Sequence, residues 1–86
     1  MDQAMQPETR HDKLRALWGW LSEWQQAHPS AEGPSFREVQ EAMQYSSVSI
    51  AMWWLEELWA SGYISMDPRK ERTIHVLVPL LRRMVT

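Results

Sequence analysis

The sequence predicts a mainly helical domain closed by a small C-terminal β-hairpin. Three observations carry this. Apolar residues recur at spacings of three and four in segments between Leu14 and Trp59. After Gly62 the period drops to two and β-branched residues take over. Hydroxyl residues with an acid three positions on stand at Thr9–Asp12 and Ser35–Glu38, as capped helix starts require.

The first helix is expected within "TRHDKLRALWGWLSEWQQAHP". Leu14, Leu17, Trp18, Leu21 and Trp24 share one face, with Trp20 at its edge. Gly19 inside it costs about 1 kcal/mol against alanine. His28-Pro29 ends it, because a residue before proline avoids the helical region. "PSAEGP" is a loop, and a second short helix follows Ser35 through Val39, Ala42 and Met43. It runs out near Gln44-Tyr45, and Ser46 or Ser47 offers the next N-cap. The third helix is expected over about Val48 to Ser61, with Gly62 at its C-terminal cap. "YISM" and "TIHVLV" then read as strands, with "DPRKER" as the turn between them.

A length of 86 residues fits one small domain, and the net charge of -2 is unusual for a nucleic-acid binder. The chain has no cysteine, which excludes disulfides, thiolate metal sites and a cysteine nucleophile and fits the cytoplasm. No apolar run approaches the roughly 20 residues that span a bilayer, so no membrane association is expected. The polar start "MDQAMQPETRHD" lacks the apolar core of a signal peptide. His11, His28 and His75 are too scattered to share a metal, and no serine has an evident base partner. Glu56 and Glu57 diverge by about 100° on a helix and make no carboxylate dyad. There is no glycine-rich phosphate loop. Neither an enzyme nor a cofactor is expected.

Three helices followed by a hairpin is the layout of a winged helix-turn-helix domain. Three motifs go further: Pro34-Ser35-Phe36-Arg37-Glu38-Val39, Ser46-Ser47-Val48-Ser49, and the passage Leu55, Leu58, Gly62, Ile64. Together they resemble the N-terminal DNA-binding domain of LexA-type repressors, over roughly residues 11–78. In that family the motifs open the second helix, open the recognition helix and lead into the wing. The self-cleaving protease part of full-length LexA has no counterpart in these 86 residues, so that activity is not carried over. Two departures stand out. Gln44-Tyr45 replaces a glycine-leucine type turn, and Met52-Trp53-Trp54 sits where the family places mostly polar residues.

The stretch "SIAMWWLEELW" raises the question of which tryptophans are core. With Ile50 at 0°, Trp54, Leu58, Ala51, Leu55 and Trp59 fall between about 40° and 180°, one apolar arc with tryptophans at both margins. Trp53 falls near about 300°, beside Ser49, Glu56, Glu57 and Ala60. It is either covered by the N-terminal arm or the wing, or displayed on the recognition face next to Met52.

The resemblance implies a small transcriptional regulator that binds double-stranded DNA. Ser47, Ser49, Ile50, Met52 and Trp53 would face base edges in the major groove. Arg37, Ser46, Arg69, Lys70 and Arg72 would hold phosphates. Arg10, Lys13 and Arg15 add positive charge to the first helix, though solvated surface is their plainer reading. Residues 1–9 would be a flexible arm, 10–78 the winged domain and 79–86 a tail. Leu80, Leu81, Met84 and Val85 would either serve a homodimer contact or cap the core. The alternative is a winged helix that binds a protein partner, with Trp53 and Met52 as anchor. Exposed tryptophan with no base on that helix is the composition of an interface hot spot.

Overall fold

A computed structural model describes residues 9–29 and 32–80. It contains α1 (Arg10–Ala27), α2 (Phe36–Met43), α3 (Val48–Ala60), β1 (Ile64–Ser65) and β2 (His75–Val76). The fold is mainly helical with one two-stranded antiparallel sheet, an order compatible with a winged helix. The expected arm, apart from Thr9, and the tail residues Leu81, Met84 and Val85 lie outside the described residues.

Local chemistry sets the helix boundaries. Thr9 and Asp12 form a reciprocal capping box on α1, and Ser35 and Glu38 form one on α2. Ser47, not Ser46, caps α3, its Oγ accepting from the Ile50 N–H at 3.1 Å. α2 ends with Gln44 in the left-handed region at φ 60°. The Tyr45 N–H donates to the Gln40 carbonyl at 3.0 Å, closing a Schellman-type turn. Gln44 therefore stands where glycine is sterically favoured. Gly62 fills the corresponding position after α3, at φ 84°.

The core lies where the three helices meet the sheet. Leu17 and Leu21 of α1, Val39 of α2, and Ala51, Leu55 and Leu58 of α3 are buried with Ile64, Ile74 and Val76. Each fully buried leucine or isoleucine contributes about 1.5–3 kcal/mol. α1 shows the expected stripe, with Leu14, Trp18 and Trp20 partly buried against this cluster. Trp24 stacks on His28 at the helix end, with ring centroids 4.0 Å apart.

The hairpin is shorter than its alternating sequence suggests. Ile64 faces Val76, Ser65 faces His75, and among the described residues none beyond these four is in strand. At the turn end, Thr73 leaves the ladder. Its Oγ1 accepts from the Asp67 N–H at 2.8 Å and lies 3.2 Å from the carbonyl oxygens of both Asp67 and Lys70. At the other end the chain turns onto α1. The Trp18 indole donates to the Val78 carbonyl at 2.6 Å, and the Leu80 N–H donates to Ser22 Oγ at 2.9 Å.

An edge strand exposes backbone groups that must find partners. On the outer side of β2 the Gln25 amide supplies them. Its Oε1 accepts from the Val76 N–H at 2.8 Å, and its Nε2 donates to the Val76 carbonyl at 3.3 Å. The loop before α2 covers the next stretch. The Gly33 N–H donates to the Arg72 carbonyl at 3.2 Å, and a Cβ on Gly33 would lie 2.2 Å from the Ile74 oxygen. Only glycine allows that approach.

Candidate binding surface

α3 carries its buried arc inward through Ala51, Leu55 and Leu58. The outward face holds Ser49, Ile50, Trp53 and Glu56, all exposed. Ile50 is 41% and Trp53 49% exposed. Trp53 is thus displayed, and its ring stands edge-on to Trp54 with centroids 4.8 Å apart and planes at 89°. Trp54 is half-buried, and the Lys13 ammonium sits 5.9 Å over its ring. Arg10 pairs with Glu57. Two of the three cations at the start of α1 therefore touch α3 while staying exposed to solvent.

One side chain departs from the wheel. Met52, expected beside Trp53, packs partly against the core. It stands near about 200°, closer to the buried arc than to Trp53. Trp59, at the other margin of the arc, is 40% exposed, in keeping with a position at the rim of the core.

The second part of the surface is a clasp between the hairpin turn and the start of α2. The Glu71 carboxylate accepts from the Phe36 N–H at 3.0 Å. The Arg72 guanidinium donates to the Gly33 carbonyl at 3.3 Å and to the Glu38 carboxylate at 3.2 Å. Arg72 reaches these partners from a left-handed backbone, φ 62°. The Ser35 N–H, and after it Arg72, hold the Glu38 carboxyl below its ordinary range, against an opposing effect of burial. In the turn, the Asp67 carboxylate accepts from the Arg69 N–H at 3.0 Å, and this lowers its own pKa.

The clasp brings the turn that carries Arg69 and Lys70 against the helix start that carries Arg37. Arg37 and Lys70 are exposed, and the Arg69 side chain is 87% exposed despite its contact with Asp67. Arg72 differs from these three, since its guanidinium already serves Glu38 and Gly33. Among the serines, Ser46 and Ser49 are exposed, whereas the Ser47 hydroxyl is spent on capping. Sequence reasoning missed Glu71 and Gln25, both of which act through backbone partners distant in sequence. No spacing rule signals such contacts.

A separate apolar patch opens at the base of the hairpin. Tyr63 stacks on Trp18 with centroids 4.6 Å apart, and Leu77 and Val78 beside it are exposed. Leu80 is half-buried, 3.4 Å from where a Cβ on Gly19 would stand. Among the described residues no three metal-ligating side chains cluster, and no helix is long and apolar enough to cross a membrane.

No protein-family model, curated protein or solved structure matches the chain.

Proposed function

We propose that this chain is a DNA-binding winged helix-turn-helix domain of the LexA-like type, acting in transcriptional regulation. α3 enters the major groove, and the turn after β1 is the wing. The observation that carries this reading is the clasp. It ties the wing to the start of α2 and so gathers Arg37, Arg69 and Lys70 on one side of the molecule. Helix starts and wings approach phosphates in this docking mode. The field near the surface, more than a net charge of -2, governs encounter, and here Arg37 and Lys70 add to cations partly balanced by Glu38, Asp67 and Glu71. Arg72 serves as the brace of this cluster.

A second reading is supported by α3 itself. Its outward face presents Ile50 and Trp53 with Glu56 and no base, which suits a protein partner. Paired variants separate the two. Under DNA binding, Arg69→Ala/Lys70→Ala weakens binding to duplexes of any sequence and flattens the salt dependence. Under protein binding, that pair has no effect and Trp53→Ala alone abolishes partner capture. If neither variant changes any binding, both assignments fall.

A further inference from the structure

We infer that α3 reads the 5-methyl groups of thymine, with Ile50 and Trp53 as its specificity-determining side chains. This rests on the DNA-binding reading above and goes beyond it by naming the base feature that is read.

α3 lacks the side chains of bidentate base recognition. Its sequence, VSIAMWWLEELWA, contains no Arg, Lys, Asn, Gln or His. Bidentate recognition of guanine needs Arg or Lys, and that of adenine needs Asn or Gln. Neither is available to this helix. Ser49 offers one hydroxyl, which serves any base. Glu56 can accept from cytosine, but it lies nearly two turns beyond Ser49, further from the helix start.

What the exposed face does offer near its start is apolar. Ile50 and Trp53 are three residues apart, so they are neighbours across one turn. Both are exposed, and the Trp53 ring is fixed edge-on against Trp54. Trp54 is in turn packed against the core and lies beneath Lys13. The Trp53 ring therefore rests against the body of the domain, and Ile50 adds an exposed apolar side chain one turn before it. The thymine methyl is the apolar feature that the major groove presents. The exposed cations Arg37, Arg69 and Lys70 match a polyanion and not an acid-poor apolar partner.

Uracil differs from thymine by this methyl and keeps the same hydrogen-bonding edge. The test therefore deletes the contact from the DNA and leaves the protein intact. Duplexes are selected from a random pool made with thymine. The best-bound sequences are remade with deoxyuridine at each thymine and compared by fluorescence anisotropy. The expected loss is about fourfold for each contacted methyl, the affinity equivalent of one buried CH₂ group. Ile50→Ala and Trp53→Ala should bring the thymine-to-uracil ratio towards one while salt-sensitive binding to the unselected pool persists. Ile50→Ala alone suffices if the tryptophan variant does not fold.

Equal affinity for the two forms, or a selected sequence without thymine, overturns methyl readout and leaves DNA binding standing. No binding to any duplex at low salt overturns both.

Discussion

Gly33→Ala is predicted to be the most damaging single-methyl change in this domain. An added Cβ would meet the Ile74 oxygen at 2.2 Å and its nitrogen at 3.0 Å. Both are backbone atoms of the segment leading into β2, so no side chain can swing aside. The loop must withdraw, and the Gly33 N–H then loses the Arg72 carbonyl. That hydrogen bond contributes about 1 kcal/mol net. The forced backbone shift adds about 1–3 kcal/mol, the usual cost of overpacking. A loss of about 2–4 kcal/mol is large for a chain of 86 residues, whose total stability is about 4–13 kcal/mol. Gly19→Ala is the control. There the new Cβ would stand 3.4 Å from Leu80 Cδ2, an ordinary contact with a flexible side chain. Removing a mid-helix glycine should stabilise α1 by up to about 1 kcal/mol. Urea denaturation monitored by tryptophan fluorescence gives both values. The midpoint should fall for Gly33→Ala and rise for Gly19→Ala. A Gly33→Ala midpoint equal to that of the parent would refute the close approach of the loop to the hairpin.

Three further changes follow from the same geometry. Gln44→Gly should stabilise the domain by about 1 kcal/mol in thermal melts, because it relieves a left-handed residue at φ 60°; a lower melting temperature would show that this backbone is not left-handed. Tyr45 has a buried hydroxyl without a hydrogen-bond partner among the described residues, and burial pushes its pKa up to about 12 from 10.0. The neutral phenol is therefore favoured in the fold, and its stability is complete below pH 10 and lost as pH rises towards 12. Tyr45→Phe should cost nothing or stabilise by up to about 1 kcal/mol and should remove that alkaline loss; marked destabilisation would mean that the hydroxyl has a partner. The Glu38 carboxyl is held below 4.5 by the Ser35 N–H and Arg72, so its contribution is present above that value and is lost as pH falls through the lower folded one. Glu38→Gln keeps a capping side chain but should flatten the acid limb of the stability profile, and an unchanged limb would count against the Ser35 N–H bond first and the Arg72 contact after it.

Much of the fold was legible because its signals are local. The capping boxes at Thr9 and Ser35, the proline stop after His28 and the glycine after α3 each lie within four residues of what they control. The helical wheel placed Trp53 on the displayed face for the same reason. The wheel erred on Met52 because exposure at the margin of an arc depends on how far neighbouring elements wrap, which one helix does not encode. The clasp was illegible in a stronger sense. Arg72 reads as a third wing cation by composition, yet Glu38, 34 positions away, takes up its guanidinium. Gln25 and Val76 are 51 positions apart, and nothing in either segment names the other. The strands are shorter than their β-branched run because the Thr73 hydroxyl serves the turn rather than the ladder.

The central claim is that this end of the molecule binds DNA through its cations, and the slope of affinity against salt tests it most directly. Binding of the protein to random duplexes is measured by anisotropy at about 50 and about 200 mM salt. Arg37, Arg69 and Lys70 each neutralising one phosphate give a slope of about -2.7, hence a loss of about fortyfold between the two conditions. A loss of that order, reduced in Arg69→Ala/Lys70→Ala, is the predicted result. Binding that is absent at low salt, or that ignores salt, would contradict the account and leave Trp53 and Ile50 as the anchors of a protein interface.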